Sequence, residues 1–261
     1  MHARSALFDI YGDHLRTRGH RAAVAGLVRL LATVGIQGPA VRTAVSRMVS
    51  QGWLEPVTVD GARGYEATPQ AIARLEQAGD RIYRRTQQVW DGGWHLVLLE
   101  PFTERAVRSR AQRDLEFLGY AELADRVWIS PFEGPGLAES LSRAGARATT
   151  ATSRDFCPAD APLHAWDLAA LAAAYDAWLR DAAAGVEEHL QGHEDPDEAA
   201  FAARFHLVHE WRKFLFRDPG LPDELLPADW PGRTAAEYFG REASRLEPAA
   251  RRFVARALAG S

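Results

Sequence analysis

The segment Val41 to Leu54, VRTAVSRMVSQGWL, restricts the fold more than any other part of the chain. Val41, Ala44, Val45, Met48 and Val49 fall at i, i+3, i+4, i+7 and i+8. That spacing makes one stripe of an α-helix, whereas a half-buried strand alternates every second residue. The opposite arc carries Arg42, Thr43, Ser46, Arg47 and Ser50. None of these is acidic: the arc pairs short hydrogen-bonding side chains with long cationic ones. Gly52 is placed to end the helix, because glycine enters the left-handed region without steric cost. An amphipathic helix with a merely solvated face is the plain reading of such a stripe, so its neighbours decide what the polar arc faces.

Upstream, AAVAGLVRLLATVG (Ala22 to Gly35) repeats the helical spacing at Val24, Leu27, Val28, Leu31 and Val34. GIQGP (Gly35 to Pro39) then breaks it, with a proline near the start of the following helix. Two short helices joined by a tight glycine-containing turn make a helix-turn-helix. Downstream, Val57 and Val59 alternate, Asp60-Gly61 is a hairpin turn signal, and Tyr65 and Ala67 alternate back. This predicts a two-stranded wing with Arg63 near its tip, followed by a helix from Pro69 to Arg85. Helix, turn, helix and wing in this order form a winged helix-turn-helix. In such domains the second helix enters the major groove of DNA. Arg42, Thr43, Ser46, Arg47 and Arg63 are therefore the candidate DNA-binding residues. A solvated turn arginine is the competing reading of Arg63.

The charge distribution agrees. The chain has 261 residues and a formal net charge of −4. Residues 1–89 hold 12 Arg against 7 acidic residues, while the remainder holds 19 basic and 28 acidic. A basic first third on an acidic body is expected where only that third meets a polyanion. The excess is modest, and all basic residues but Lys213 are arginine, so arginine abundance alone argues little. At 47% hydrophobic and 25% charged residues the composition is that of an ordinary globular protein. No apolar run approaches a membrane span and the N-terminus has no apolar leader-like stretch, so the expected location is cytoplasmic, with no membrane partner. The single cysteine, Cys157, leaves neither an internal disulfide nor a multi-cysteine metal site.

Two further segments follow, giving an α+β chain of three domains: 1–88 (winged helix), 89–160 (middle) and 161–261 (C-terminal). In the middle segment, Trp94–Leu99 reads as a strand and Thr103–Tyr120 as a helix. Asp125–Phe132 reads as a strand, Gly136–Gly145 as a short helix, and Ala146–Ser153 as a further strand. This order points to a ferredoxin-like domain. Arg105, Arg108, Arg110 and Arg113 crowd its first helix, as a solvated face or as a phosphate contact. The C-terminal segment is nearly all helix, ending in an amphipathic helix from Arg233 to Leu258.

Other chemistry is poorly supported. His206 and His209 are three apart and followed by Glu210, but zinc proteases use H-E-x-x-H. A buried hydrogen-bonded histidine is the plainer reading, and no metal is expected. Cys157 has no orienting partner in the sequence. There is no G-x-S-x-G elbow and no glycine-rich phosphate loop, so no catalytic residue and no enzyme activity are expected. The acidic run Glu187, Glu188, Glu194, Asp195, Asp197 and Glu198 reads as solvated. Asp218 to Pro231 reads as a structural turn packing Trp230.

The chain resembles the PaaX family, repressors of bacterial phenylacetate and aromatic catabolism genes. The resemblance is carried by LVRLLATVGI, VRTAVSRMVSQGWL, WDGGWHLVLL, the AWDL at Ala165 to Leu168, and above all HEWRKFLFRDPGLPDELLPADWPG from His209 to Gly232. The helix alone is also similar to those of GntR-type regulators. The resemblance implies the three-domain architecture above, a homodimer, binding to double-stranded operator DNA, and release from it by an aryl-acyl-CoA effector, phenylacetyl-CoA being the family default. It implies no cofactor beyond that effector. An acyl-CoA needs an apolar pocket with basic residues at its mouth. Trp211, Phe214 and Trp230, with His206 and His209, are candidates for the apolar part. Arg212, Lys213 and Arg217, with Arg105 or Arg108, are candidates for the phosphates. Packed core with salt-bridged cations is the competing reading of that helix. The alternative function is an acyl-CoA-binding protein or enzyme whose winged helix serves protein contacts.

Overall fold

The computed structural model describes residues 1–83 and 89–259. These residues form two compact units. The first comprises the described parts of Met1–Thr86, Asp176–Arg212 and Arg233–Ser261. The second comprises those of Gln87–Tyr175 and Lys213–Gly232.

In the first unit, α1 (Ala3–Asp9) runs into a wider π-helical turn, Ile10–His14, then a 3-10 turn at Arg16–Arg18. Strand β1 (Arg21–Ala23) leads into α2 (Val24–Thr33) and α3 (Gly38–Ser50). Strands β2 (Leu54–Val59) and β3 (Ala62–Ala67) form the expected hairpin, and α4 (Pro69–Ile82) follows, capped by Thr68. Residues 84 and 85 of the helix expected there, and the domain boundary at 88, lie outside the described residues. The sheet is antiparallel with order β1-β3-β2. Asp60 and Gly61 both have positive φ, 49° and 81°, as the tight two-residue hairpin turn requires.

Gly64 makes the third strand possible. A Cβ there would lie 2.7 Å from the Ala22 carbonyl oxygen and 2.7 Å from Val59 Cγ2, so β1 reaches β3 only because that side chain is missing.

The core of this unit is one apolar cluster. Leu7, Ile10, Tyr11 and Leu15 meet Leu27, Leu30 and Leu31 of α2 and Val41, Val45 and Met48 of α3. Phe201 and Phe205 of α8 (Pro196–Trp211) and Ala250 and Val254 of α9 (Pro231–Ala259) join them. In α2, Leu30 is buried with Leu27 and Leu31, while Val24, Val28 and Val34 are only partly buried. The buried arc is thus rotated from the stripe read in the sequence.

The second unit holds β4 (Trp94–Leu99), α5 (Arg105–Phe117), β5 (Ala121–Ala124), β6 (Val127–Ser130), α6 (Leu137–Ala144) and β7 (Ala148–Ser153). The sheet order is β5-β6-β4-β7 with every pairing antiparallel. This is the β-α-β-β-α-β connectivity of a ferredoxin-like unit, with one more strand, β5, than the sequence reading supplied. Val97, Leu99, Leu115, Trp128, Leu137 and Leu141 pack together in one core, and Trp94 and Ile129 with Leu221 in a second. The C-terminal part is helical: α7 (Leu168–Gln191), α8 and α9.

The acidic run is not wholly solvated. Asp195 accepts from the Asp197 backbone N–H at the start of α8. The Asp197 side chain, 12% exposed, binds Arg252 at 2.6 Å and Arg256 at 2.5 Å on α9. These two arginines, 55 and 59 residues away, hold its carboxyl below the usual carboxylate range.

Candidate nucleic-acid interface

Helix α3 begins with Gln37 in extended backbone and Pro39 in its first turn. Proline suits that position because its missing N–H would have had no helical partner there. The helix ends where Gly52 takes φ 72°. Its buried residues are Val41, Ala44, Val45 and Met48. Arg42, Thr43, Ser46, Arg47 and Ser50 are all exposed. The hydrophobic stripe therefore fixes which arc points outward.

Within that arc, Ser50 Oγ donates to the Arg47 carbonyl at 2.9 Å. Arg42 folds back across the first turn, with Nη1 placed 3.1 Å from where a Gly38 Cβ would stand. Among the described residues neither Arg42 nor Arg47 is held by a carboxylate, so both cations are available to an incoming anion. On the hairpin, Arg63 is exposed yet held: Nη2 donates to Tyr65 Oη at 2.8 Å and the guanidinium lies 5.7 Å from the ring centroid. Four N–H donors remain on it. The sequence reading missed Arg16, Arg18 and Arg21, which are exposed where the chain enters β1, the far strand of the same sheet. Their signal was the run LRTRGHR at Leu15 to Arg21.

The candidate effector residues divide between the two units. In the first, the His206 ring stacks on His189 at 3.9 Å, and burial with two neighbouring histidines lowers its pKa to about 4. His209 Nδ1 lies 2.6 Å from Asp9 Oδ2, and Arg212 pairs with the same carboxylate. Trp211 Nε1 donates to the Ile82 carbonyl at 3.0 Å and stacks on Phe239. In the second, Phe214 stacks on Tyr175 at 4.1 Å and Trp230 meets the same ring edge-on. Lys213 and Arg217 are exposed and lie after α8, in a 3-10 turn and just beyond it. Arg105 and Arg108 are exposed on α5. His209, Trp211 and Arg212 thus already have internal partners that pack α8 onto α1 and α4.

Among the described residues no group of three or more His, Cys, Asp or Glu side chains could hold a metal ion. Among them, too, no helix is long and apolar enough to cross a membrane.

A mixed α+β chain with a ferredoxin-like central unit and helical C-terminal elements defines the structural class, and comparison with known proteins narrows it. Residues 2–71 match the model of PaaX-like protein, residues 87–159 that of the PaaX protein central Cas2-like domain, and residues 166–256 that of the PaaX-like protein C-terminal domain. The chain belongs to the PaaX family. It is 29% identical to the Transcriptional repressor PaaX of Escherichia coli (strain K12), over 96% of this chain and 82% of that protein. Among solved structures it is similar to the uncharacterized protein Rv0674 from Mycobacterium tuberculosis. That match has a TM-score of 0.60 and 29% identity, over 95% of this chain and 98% of the other.

Proposed function

We propose that the protein is a DNA-binding transcriptional regulator, a repressor, whose winged helix-turn-helix at residues 1–88 reads operator DNA through α3. The carrying observation is the arc Arg42, Thr43, Ser46 and Arg47: exposed, free of acidic residues, and fixed outward by a buried stripe on the second helix of the motif. The likeness to a transcriptional repressor over nearly the whole chain supports the same reading. The hairpin behind α3 supplies the wing, and Arg63, Arg16 and Arg21 offer phosphate contacts beside it.

One recognition helix covers only a few base pairs, so the protein acts as a homodimer on two half-sites about 10 base pairs apart or a multiple of that. Residues 89–160 and 161–261 carry dimer contacts and the response to an aryl-acyl-CoA, in the cytoplasm. That effector must bind the DNA-free state more tightly than the DNA-bound state, since equal affinity shifts nothing.

The test is equilibrium binding of the full chain to a labelled duplex from upstream of its own gene, followed by anisotropy from 50 to 200 mM salt. The expected plot of log affinity against log salt is linear with a slope of about −0.9 for each phosphate neutralised. A phenylacetyl-CoA titration at fixed salt is expected to reverse binding. A duplex affinity that is absent at 50 mM salt would overturn the reading.

A further inference from the structure

A second cationic site lies in the first unit, away from α3. A cavity of about 240 Å³ is lined by His14, Thr17, Arg18, Arg251 and Val254. His14 ends the π-helical turn, Thr17 and Arg18 belong to the 3-10 turn, and Arg251 and Val254 lie on α9. The His14 side chain is only 4% exposed, and its ring packs on Phe201 at 4.9 Å. Among the described residues that ring makes no hydrogen bond; its nearest polar neighbour is Asp13 Oδ2, 3.6 Å away. The ring therefore stands beside the Asp13 carboxylate and forms part of the cavity lining. Arg18 is exposed and, among the described residues, bound to no carboxylate. Arg251 meets Glu247 at 2.7 Å through one nitrogen, which leaves most of its five donors free. Asp13 is already satisfied by Arg204 and Tyr83, so the charge facing the cavity is positive.

We propose that this cavity binds a tetrahedral oxyanion, a phosphate either free or carried on a small molecule. Two arginines and a hydroxyl line it from two elements, Arg18 and Thr17 from the 3-10 turn and Arg251 from α9, with His14 beside them. A planar carboxylate is met by one arginine fork, whereas a tetrahedral anion offers acceptors to both arginines and the hydroxyl at once. The volume falls below the roughly 300–1,000 Å³ of pockets that enclose a drug-sized ligand, so the site takes a phosphate group rather than a whole nucleotide. Occupancy ties α9 to the turn three residues ahead of β1, and β1 pairs with the hairpin strand β3. The regulatory consequence rests on the proposed function; the anion site stands whatever α3 binds.

The test uses the full chain and no DNA. Inorganic phosphate and ethyl phosphate are titrated at constant ionic strength and pH 7.5 while the His14 ring protons are followed by NMR. The expected result is a saturable shift, with Arg18→Ala and Arg251→Ala each weakening binding at least tenfold and Arg245→Ala, an exposed arginine outside the cavity, leaving it unchanged. Ethyl phosphate binding as tightly as phosphate identifies a carried phosphate; phosphate alone identifies a free ion, and either supports the site. A shift that never saturates, or an Arg245→Ala loss equal to that of Arg18→Ala, overturns it.

Discussion

Asp13 and Arg204 stand 191 residues apart in sequence and meet as a buried two-pronged ion pair. Arg204 Nη2 donates to Oδ1 at 2.8 Å and Nε to Oδ2 at 3.1 Å. The side chains are 10% and 6% exposed. Tyr83 donates to the same carboxylate at 2.5 Å, and Arg204 also reaches the Ala243 carbonyl of α9. One guanidinium thus links the end of the first helical stretch, α4, α8 and α9. Truncating one partner of such a pair costs about 3–5 kcal/mol, because the other charge is left buried. Asp13→Ala and Arg204→Ala are each expected to lower the thermal midpoint by many degrees. The double variant is expected to lose clearly less than the two combined, since they remove one interaction. Thermal unfolding of the three variants checks this.

The same cluster sets an acid limit. Burial lowers the pKa of His14 to about 4, with Asp13 opposing and Arg204 assisting. Its ordinary value is 6.5, so between pH 6.5 and about 4 the unfolded chain takes up a proton the folded chain does not. Stability therefore falls as pH drops through that window. Burial pushes the Asp13 carboxyl up, but His14, Arg204 and the Tyr83 hydroxyl outweigh it and leave the pKa below 3.8. The stability it contributes is present above 3.8 and lost as pH falls through its depressed folded value. The thermal midpoint is expected to fall steadily from pH 7 to pH 4. In His14→Leu that slope is expected to be shallower, the remaining slope coming in part from His206, His189 and His95, whose pKa values are also lowered by burial. A slope unchanged in the variant would contradict the assignment.

Gly64→Ala places a methyl group against the Ala22 carbonyl and Val59. Overpacking of this kind costs about 1–3 kcal/mol. The expected signature is faster hydrogen exchange at the amides of Ala22 and Ala23, with the β2–β3 pairing retained.

Asp197→Ala releases Arg252 and Arg256 from a carboxylate that is nearly buried. The thermal midpoint is expected to fall, and the gap from wild type to narrow as salt is raised, because the lost pairs involve partly exposed arginines that salt screens. An equal gap at 0.05 and 1 M salt would show that packing, and not charge, carries the effect.

The sequence made α3 and its exposed arc legible because the helix is amphipathic with a single period, and the hairpin legible because Asp60-Gly61 is a turn signal with a mechanism. It hid α1 and the turn after it. There, Asp9 and Asp13 look like surface residues, yet their partners Arg212, His209 and Arg204 lie about 200 residues away. The π-helical turn also shifts the helical phase after Asp9, blurring the stripe of Leu7, Ile10, Tyr11 and Leu15. Strand β5 was missed because Ala-Glu-Leu-Ala favours helix locally, and only pairing with β6 overrides that preference. Asp197 was read as solvated for a similar reason: its two arginines come from the last helix.

The most direct measurement of the central claim is duplex affinity after changing the outward arc of α3. Arg42→Ala and Arg47→Ala are compared with wild type on the upstream duplex and on a random duplex, across salt. An arginine that reads guanine contributes roughly 1–3 kcal/mol of discrimination, and one on phosphate weakens all sequences alike while reducing the salt slope by about 1. Each substitution is expected to weaken binding to the upstream duplex about fivefold or more at unchanged thermal stability. Both variants binding the two duplexes as wild type does would contradict it.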